Sequence, residues 1–410
     1  MTATWGDQTD TGSDDAPERP VPDRAGPLAD LLVVDLTRVL AGPFATMMFA
    51  DLGARVVKVE RAGRGDDSRS YGPFVQGRSM YFGRVNRGKE SVALDLADPA
   101  DRAVLLALAD RADVLVENFR PGVMARLGLD YGVLGERNPR LVYASISGFG
   151  QTGPWRERPA YDTVVQAAAG MLEITGPPDG PPTKPGTSIA DLSAGLYAFG
   201  AVLAALHGRA RTGRGSHVDV AMFDATLSLL EGAAQQFLAH GVEPHRIGNA
   251  HYSISPFGTF ACADRSIVIC AAHDGLFGVL CAVLGRPDLV GRPEFGTNGD
   301  RSAHRDALTA ELESVLRTAP AAHWLDRLGA AGVPCGPVSG VGEALRSDQA
   351  TARQMVVQAG GLQMPGNPMK IRPYREPAWR PAPELDEHGP AIRAELGFPP
   401  APADPPPRRS

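Results

Sequence analysis

Apolar positions in this chain fall into short runs that alternate with stretches of helical spacing. The stretch LLVVDL at 31–36 is almost continuously apolar and bounded by polar residues, as a strand buried on both faces should be. From 44 to 52 the pattern turns helical, with Pro43 suited to the first turn and Gly53 to the residue after the last. RVVKVE at 55–60 reads as a second strand, completing a βαβ unit. The alternation continues with a helix over 99–112, a strand over 113–117, a short helix after Pro121 and a strand over 141–146. Helices over 163–172 and 196–206, a turn at 212–215, a strand over 216–221 and a helix from Phe223 complete this part. Such a succession predicts an α/β fold with a doubly wound parallel sheet.

Between 240 and 256 the pattern breaks. Two alternating runs, 257–262 and 266–270, then face each other about Asp264-Arg265 as a hairpin. Helical patterns follow at 275–284, 304–317 and 321–332, so this portion reads as α+β. Runs at 355–358 and 361–364 resemble edge strands, and 399–407 is rich in proline. A chain of 410 residues exceeds what one core usually serves. The expected division is a disordered leader (1–26), a large Rossmann-like domain (27–225), a linker (226–255), a small α+β domain (256–338), a segment returning to the large domain (339–396) and a disordered tail (397–410).

The ligand side of a doubly wound sheet is the carboxyl ends of its strands, and polar turns at 38–42, 61–69 and 118–126 fall there. A dinucleotide is disfavoured, because the first turn carries Ala41-Gly42-Pro43 in place of the glycine fingerprint and Pro43 has no N–H to offer a pyrophosphate. Arg61, Arg120 and Arg126 are suited to phosphates or to solvent. Phe119 beside Asn118 offers a flat surface and a hydrogen-bonding neighbour for a purine, or an ordinary packing residue. Asp191 is the last charge before a long apolar run, which places it at or just before a helix N-terminus as a cap. Tyr161 and Asp162 stand at the start of another helix, Asp162 as its cap and Tyr161 as a core aromatic with a wet edge.

The bulk numbers then narrow the partners. A formal charge of −6 with interspersed signs removes the electrostatic case for nucleic acid. The first 26 residues lack the regions of a signal peptide, and no uninterrupted apolar span is long enough for a membrane helix. Cys262, Cys270, Cys281 and Cys335 show no C-x-x-C spacing and read as reduced core thiols, so the expected location is the cytoplasm. No metal-ligand spacing is present.

Taken in order, several stretches resemble the class III CoA-transferases, the family that includes the formyl-CoA and carnitine CoA-transferases. They are LTxxxAGP (36–43), GAxVxKVE (53–60), NRGK (86–89), ENFRPG (117–122) with Arg126 and Gly128, GFGQ (148–151), TGRG (212–215), MFD (222–224) and GVPCGP (332–337). Each is short; the ordered set is specific and runs from about 28 to 345. The resemblance implies that Asp191 is a nucleophile and that a CoA thioester is the substrate, with no permanently bound cofactor. It implies CoA against Leu94, Asp95, Leu96, Ala97, Asn118, Phe119, Arg120 and Arg126, Arg61 near phosphate, and the Leu40-Ala41 backbone near the thioester. Tyr161 and Asp162 are possible assisting groups, and an interlocked homodimer is the implied assembly.

In the implied reaction Asp191 attacks the thioester, forming a mixed anhydride that the thiolate converts to an aspartyl-CoA thioester, from which CoA passes to an acceptor acid. Such a nucleophile must be ionised yet poorly solvated, a state a helix N-terminus favours. Formyl-CoA transferase has Gln where this chain has Leu40, and its glycine-rich loop is not evident at 240–256; both departures point to an acyl group larger or less polar than oxalyl. The related α-methylacyl-CoA racemases need two bases and carry His-Asp where this chain has Tyr161-Asp162, leaving only His217, His240, His245 or His251 as substitutes. A CoA-binding protein without catalysis is the alternative outside enzymes.

Overall fold

The computed structural model describes residues 26–374 and 378–400, so the expected leader, apart from Gly26, and most of the expected tail lie outside the described residues. Six strands form the large sheet: β1 (Leu32–Asp35), β2 (Arg55–Arg61), β3 (Glu90–Leu94), β4 (Val114–Glu117), β5 (Val142–Ser147) and β6 (His217–Ala221). All neighbouring pairs are parallel, in the spatial order β3-β2-β1-β4-β5-β6. This is the doubly wound order, and the chain reverses direction across the sheet between β1 and β4, opening a crevice above their carboxyl ends.

Burial on both faces explains the apolar runs. On one face α1 (Ala41–Asp51) packs with Phe49 and Met48 against Val33 and Val116; on the other α3 (Pro99–Arg111) sets Val104, Leu105 and Leu108 against Val34 and Leu115. Between them in sequence lies the short α2 (Met80–Asn86). Next come α4 (Asp162–Ala168), α5 (Ile189–Thr212), α6 (Met222–Ser228) and α7 (Glu231–His240). The predicted helix over 163–172 is broken: Gly170, at φ +87°, ends α4, and a separate turn spans Met171–Ile174.

The predicted helix over 196–206 is the middle of α5, whose 24 residues start upstream of Asp191. By length and composition α5 could cross a membrane, against the expectation that no span reaches that size. Its inward residues Ala190, Ala194, Ala198 and Val202 belong to the sheet's core. α5 approaches α1 so closely at Gly195 that a Cβ there would sit 2.8 Å from the Ala41 carbonyl oxygen and 2.9 Å from Phe44. Only glycine allows that approach.

A second core, separate from these, is built on β7 (Phe257–Ala261) and β8 (Ser266–Cys270), which form the predicted hairpin, and on β9 (Cys335–Pro337), which the sequence pattern did not reveal. The helices α8 (Asp274–Val283), α9 (Arg305–Leu316) and α10 (Ala321–Ala330) cover it. β10 (Val356–Ala359) and β11 (Leu362–Pro365) form an antiparallel ribbon. α11 (Gly389–Leu396) then returns to the large sheet, with Ile392 in its core and Arg393 paired with Asp101 at 2.7 Å. All four cysteines are free thiols.

Candidate active site

The loop from β1 to α1 is held from below by buried charges. Asp35, fully buried, accepts from Thr37 N at 2.9 Å and Thr46 Oγ1 at 2.7 Å and pairs with Lys89 Nζ at 2.9 Å. Despite the cost of burial, Lys89 and Lys58 hold the Asp35 carboxyl well below the usual carboxylate range, while burial brings Lys89 down to about 8. Lys58 donates to the Thr37 carbonyl at 2.7 Å and pairs with Asp66 at 3.0 Å, both side chains excluded from solvent. Asp66 in turn accepts from Val39 N at 3.2 Å. Val39 sits at φ +68°, a conformation that a β-branched residue adopts only when its surroundings enforce it.

This strained residue turns the chain into α1, whose N-cap position, Leu40, makes no side-chain capping bond. The first N–H groups of α1 therefore have no intrahelical acceptor and no cap. Asn118, at the end of β4, clamps the same loop: its Oδ1 accepts from Arg38 N and its Nδ2 donates to the Arg38 carbonyl, both at 2.8 Å. These two bonds fix the orientation of the amide and leave one Nδ2 hydrogen and one Oδ1 lone pair uncommitted. The Arg38 guanidinium lies 5.0 Å above the Phe119 ring.

Two cavities meet at Arg38 and Phe119. The first, about 310 Å3, is bounded by Arg61, Leu94, Asp95, Leu96, Ala97 and Phe119, six of the predicted CoA contacts, with Lys58 and Asp66 in its wall. Arg61 is exposed and makes no ion pair among the described residues. The second, about 240 Å3, is bounded by Leu40, Ala41, Asn118, Phe119, Arg120, Tyr161 and Asp191. Arg126 lines neither. Sequence reasoning missed Lys58 and placed Arg38 and Asp66 only within the polar turns 38–42 and 61–69; a lysine inside the apolar run VVKVE was the available signal, since a buried lysine demands partners. It also missed Arg156 and Arg158, which line the second cavity.

Asp191 is the third residue of α5, not its cap, and Ser188 at the N-cap position makes no side-chain bond. The capping is done from elsewhere. Asp162, expected to cap α4, instead accepts from Ala190 N at 3.0 Å and Asp191 N at 3.3 Å, and from Gln166 Nε2 at 2.6 Å. Tyr161 holds the N-cap position of α4 without a side-chain bond and is 74% exposed, not a core aromatic. Burial, and then the neighbouring Asp162 charge, push Asp191 up to about 7, with Arg84 pulling the other way. The helix end does not offset this burial, and its Ala190 and Asp191 N–H groups are bonded to Asp162.

No histidine lines the Asp191 cavity, so a second base of the racemase kind is not placed there. His217 lies on β6, its ring stacked on Tyr131 at 5.4 Å. Among the described residues no cluster of side chains could hold a metal ion.

The sequence model of CoA-transferase family III matches residues 28–389. A relative named acetyl-CoA:oxalate CoA-transferase, from Acetobacter aceti, is 53% identical over 92% of this chain and 97% of its own length. The human succinyl-CoA:glutarate CoA-transferase is 37% identical over 90% of this chain and 86% of its own. The crystal structure of a CAIB/BAIF family protein from Brucella suis superposes with a TM-score of 0.82 at 41% identity, covering 91% of this chain and all of that one. On these matches the chain belongs to CoA-transferase family III, enzymes that move CoA from an acyl-CoA thioester to a carboxylic acid.

Proposed function

We propose that Asp191 is the nucleophile of this transfer and that the acceptor is a small dicarboxylic acid. The observation that carries the first part is the place of Asp191: it bounds a cavity that joins, across Arg38 and Phe119, a second cavity bearing six of the predicted CoA contacts. A nucleotide against Leu94–Ala97 with its phosphates near Arg61 and Arg120 then directs the thioester towards Asp191.

The Asp191 carboxylate adds to the thioester carbon, and the C–S bond breaks to give CoA thiolate and a mixed anhydride. The thiolate attacks the aspartyl carbonyl, releasing the first acid and leaving an aspartyl-CoA thioester. The acceptor carboxylate attacks that thioester, and the returning thiolate takes the acceptor's acyl group, restoring Asp191. Each tetrahedral oxyanion requires preorganised donors, and the uncapped N–H groups at Ala41 and Gly42 are suited to that role. Retaining the thiolate in the cavity makes its return effectively unimolecular.

The names of relatives support the acceptor class, since they act on oxalate and glutarate. The oxalate relative also weighs against reading Leu40 as a bar to an oxalyl group. The proposal extends to a homodimer of interlocked chains, to the division into a large and a small domain, which the separate core around β7 and β8 supports, and to a cytoplasmic location, which the free thiols support. The test is to incubate the protein with acetyl-CoA and quench with hydroxylamine. The Asp191 peptide is expected to carry the hydroxamate, seen by mass spectrometry, and Asp191→Ala is expected to lose transfer by at least about 1,000-fold while still binding CoA. If Asp191→Ala keeps most of the rate, the assignment is wrong.

A further inference from the structure

Glu117 closes β4 directly before Asn118 and Phe119, and it is a buried acid without a cation: it is 4% exposed and makes no ion pair among the described residues. On the β1 and β2 side of the crevice the buried acids are all paired, Asp35 with Lys89, Asp66 with Lys58, and Glu60 with Arg69 at 2.6 Å. Burial pushes Glu117 up to about 7, against the pull of the Ser145 hydroxyl and the Phe119 N–H. An apolar side chain of the same size would cost less to bury, so stability does not account for a carboxyl group at this position.

The bond it makes does. Glu117 Oε2 accepts from Phe119 N at 2.8 Å, two residues further along the chain. A side-chain acceptor bonded to the backbone two residues on mimics a turn and fixes the direction in which the chain leaves the strand. Glu117 is steadied from its other side: it stands beside Ser145 in the β4–β5 register, and Ser145 Oγ lies 3.0 Å from His217 Nε2 on β6, whose ring is stacked on Tyr131. Past the turn, Asn118 grips the Arg38 backbone, and the Phe119 ring, with the Arg38 guanidinium above it, bounds both cavities.

We propose that Glu117 is a positioning residue for CoA: through its bond to Phe119 N it sets the corner that divides the two cavities and holds the Phe119 ring against the CoA nucleotide. This rests on the placement of CoA in the transfer reading above.

The experiment uses the full-length enzyme, with CoA affinity measured by calorimetry and steady-state kinetics measured with acetyl-CoA and oxalate. Glu117→Met keeps the bulk while removing the acceptor and the buried charge. Its Kd for CoA is expected to weaken by about 10-fold and its KM for acetyl-CoA to rise in step. Its kcat should stay within about 3-fold, because Lys58 and Asp66 hold the β1–α1 loop without help from β4. Glu117→Gln, whose amide oxygen can still accept from Phe119, should recover CoA affinity to within about 3-fold of the wild type. Phe119→Ala supplies the comparison: if Glu117 acts through Phe119, the double variant loses no more affinity than Phe119→Ala alone. Additive losses, a Glu117→Gln as weak as Glu117→Met, or a Glu117→Met of wild-type affinity beside a weakened Phe119→Ala each overturn the assignment. Wild-type affinity in Phe119→Ala overturns the placement of CoA itself, and the role of Glu117 with it. Should Glu117→Met fail to fold, Glu117→Leu supplies the same comparison.

Discussion

At the scale of single residues, the surroundings of Asp191 include a carboxylate, Asp162, that local sequence assigned to the wrong helix. Local sequence put Asp191 near a helix start, and that was correct to within three residues. It could not show that Asp162, 28 residues before Ala190, reaches across to take the backbone donors of α5. Which N-terminus a capping aspartate serves is decided by tertiary packing and leaves no local pattern. The consequence is a pH dependence. With Asp191 at about 7, only the deprotonated fraction is nucleophilic, so kcat/KM should rise as pH increases from 5 and level off above about 8. Asp162→Asn removes the like charge while Oδ1 still accepts from Ala190 and Asp191. Gln166, whose Oε1 has no partner, can turn its amide to accept from the new Nδ2. The acid limb should therefore move to lower pH, raising the rate at pH 6 relative to pH 8 by about 2- to 5-fold. A pH–rate profile unchanged by Asp162→Asn would exclude Asp162 as the source of the shift.

At the scale of elements, strands and helices were legible because burial on both faces of a parallel sheet leaves continuous apolar runs, and the helices between them carry their own stops. Less legible were β3, an edge strand that the sequence reading did not predict, β9, only three residues long, and the break at Gly170, where an apolar pattern continues across a change of direction. The β1–α1 loop carries the element-scale prediction. Val39 at φ +68° costs on the order of 1–3 kcal/mol, opposed by the Lys58–Asp66 pair beneath it and the Asn118 clamp beside it. If the proposed oxyanion role of the first α1 N–H groups holds, strain maintained by these two contacts fixes their direction. Val39→Gly relieves it, so the melting temperature should hold or rise. The loop, however, gains freedom, and kcat should fall about 10- to 100-fold with CoA affinity nearly unchanged. Calorimetry and steady-state kinetics on the same preparation separate the two effects, and a variant as active as the wild type would show that the strain serves no catalytic purpose.

For the whole molecule, the spatial order of the sheet was implied only by analogy, because the sequence order of strands does not state which become neighbours. What the chain did reveal was a negative feature: Pro43 and the missing glycine fingerprint kept the crevice from being assigned to a dinucleotide. The other whole-molecule feature is an unpartnered apolar face. α5 leaves Leu196 and Tyr197 55% and 48% exposed, and the bond from Tyr197 Oη to Ser228 Oγ at 2.9 Å sets them beside Leu227 and Leu229 of α6 and the turn after it. Phe237 and Leu238, the latter 78% exposed, continue the apolar exposure on α7. A long helix of high hydropathy with so much of its surface uncovered fits a protein surface that another chain buries, and a second copy is the occupant the proposed dimer supplies. In sedimentation velocity the wild type should run as a dimer at micromolar concentration. Leu196→Asp and Leu238→Asp should each shift it towards monomer, since each places a charge in the contact at a cost of about 2–4 kcal/mol. A wild type that sediments as a monomer throughout would mean that this face is covered by something other than a second copy.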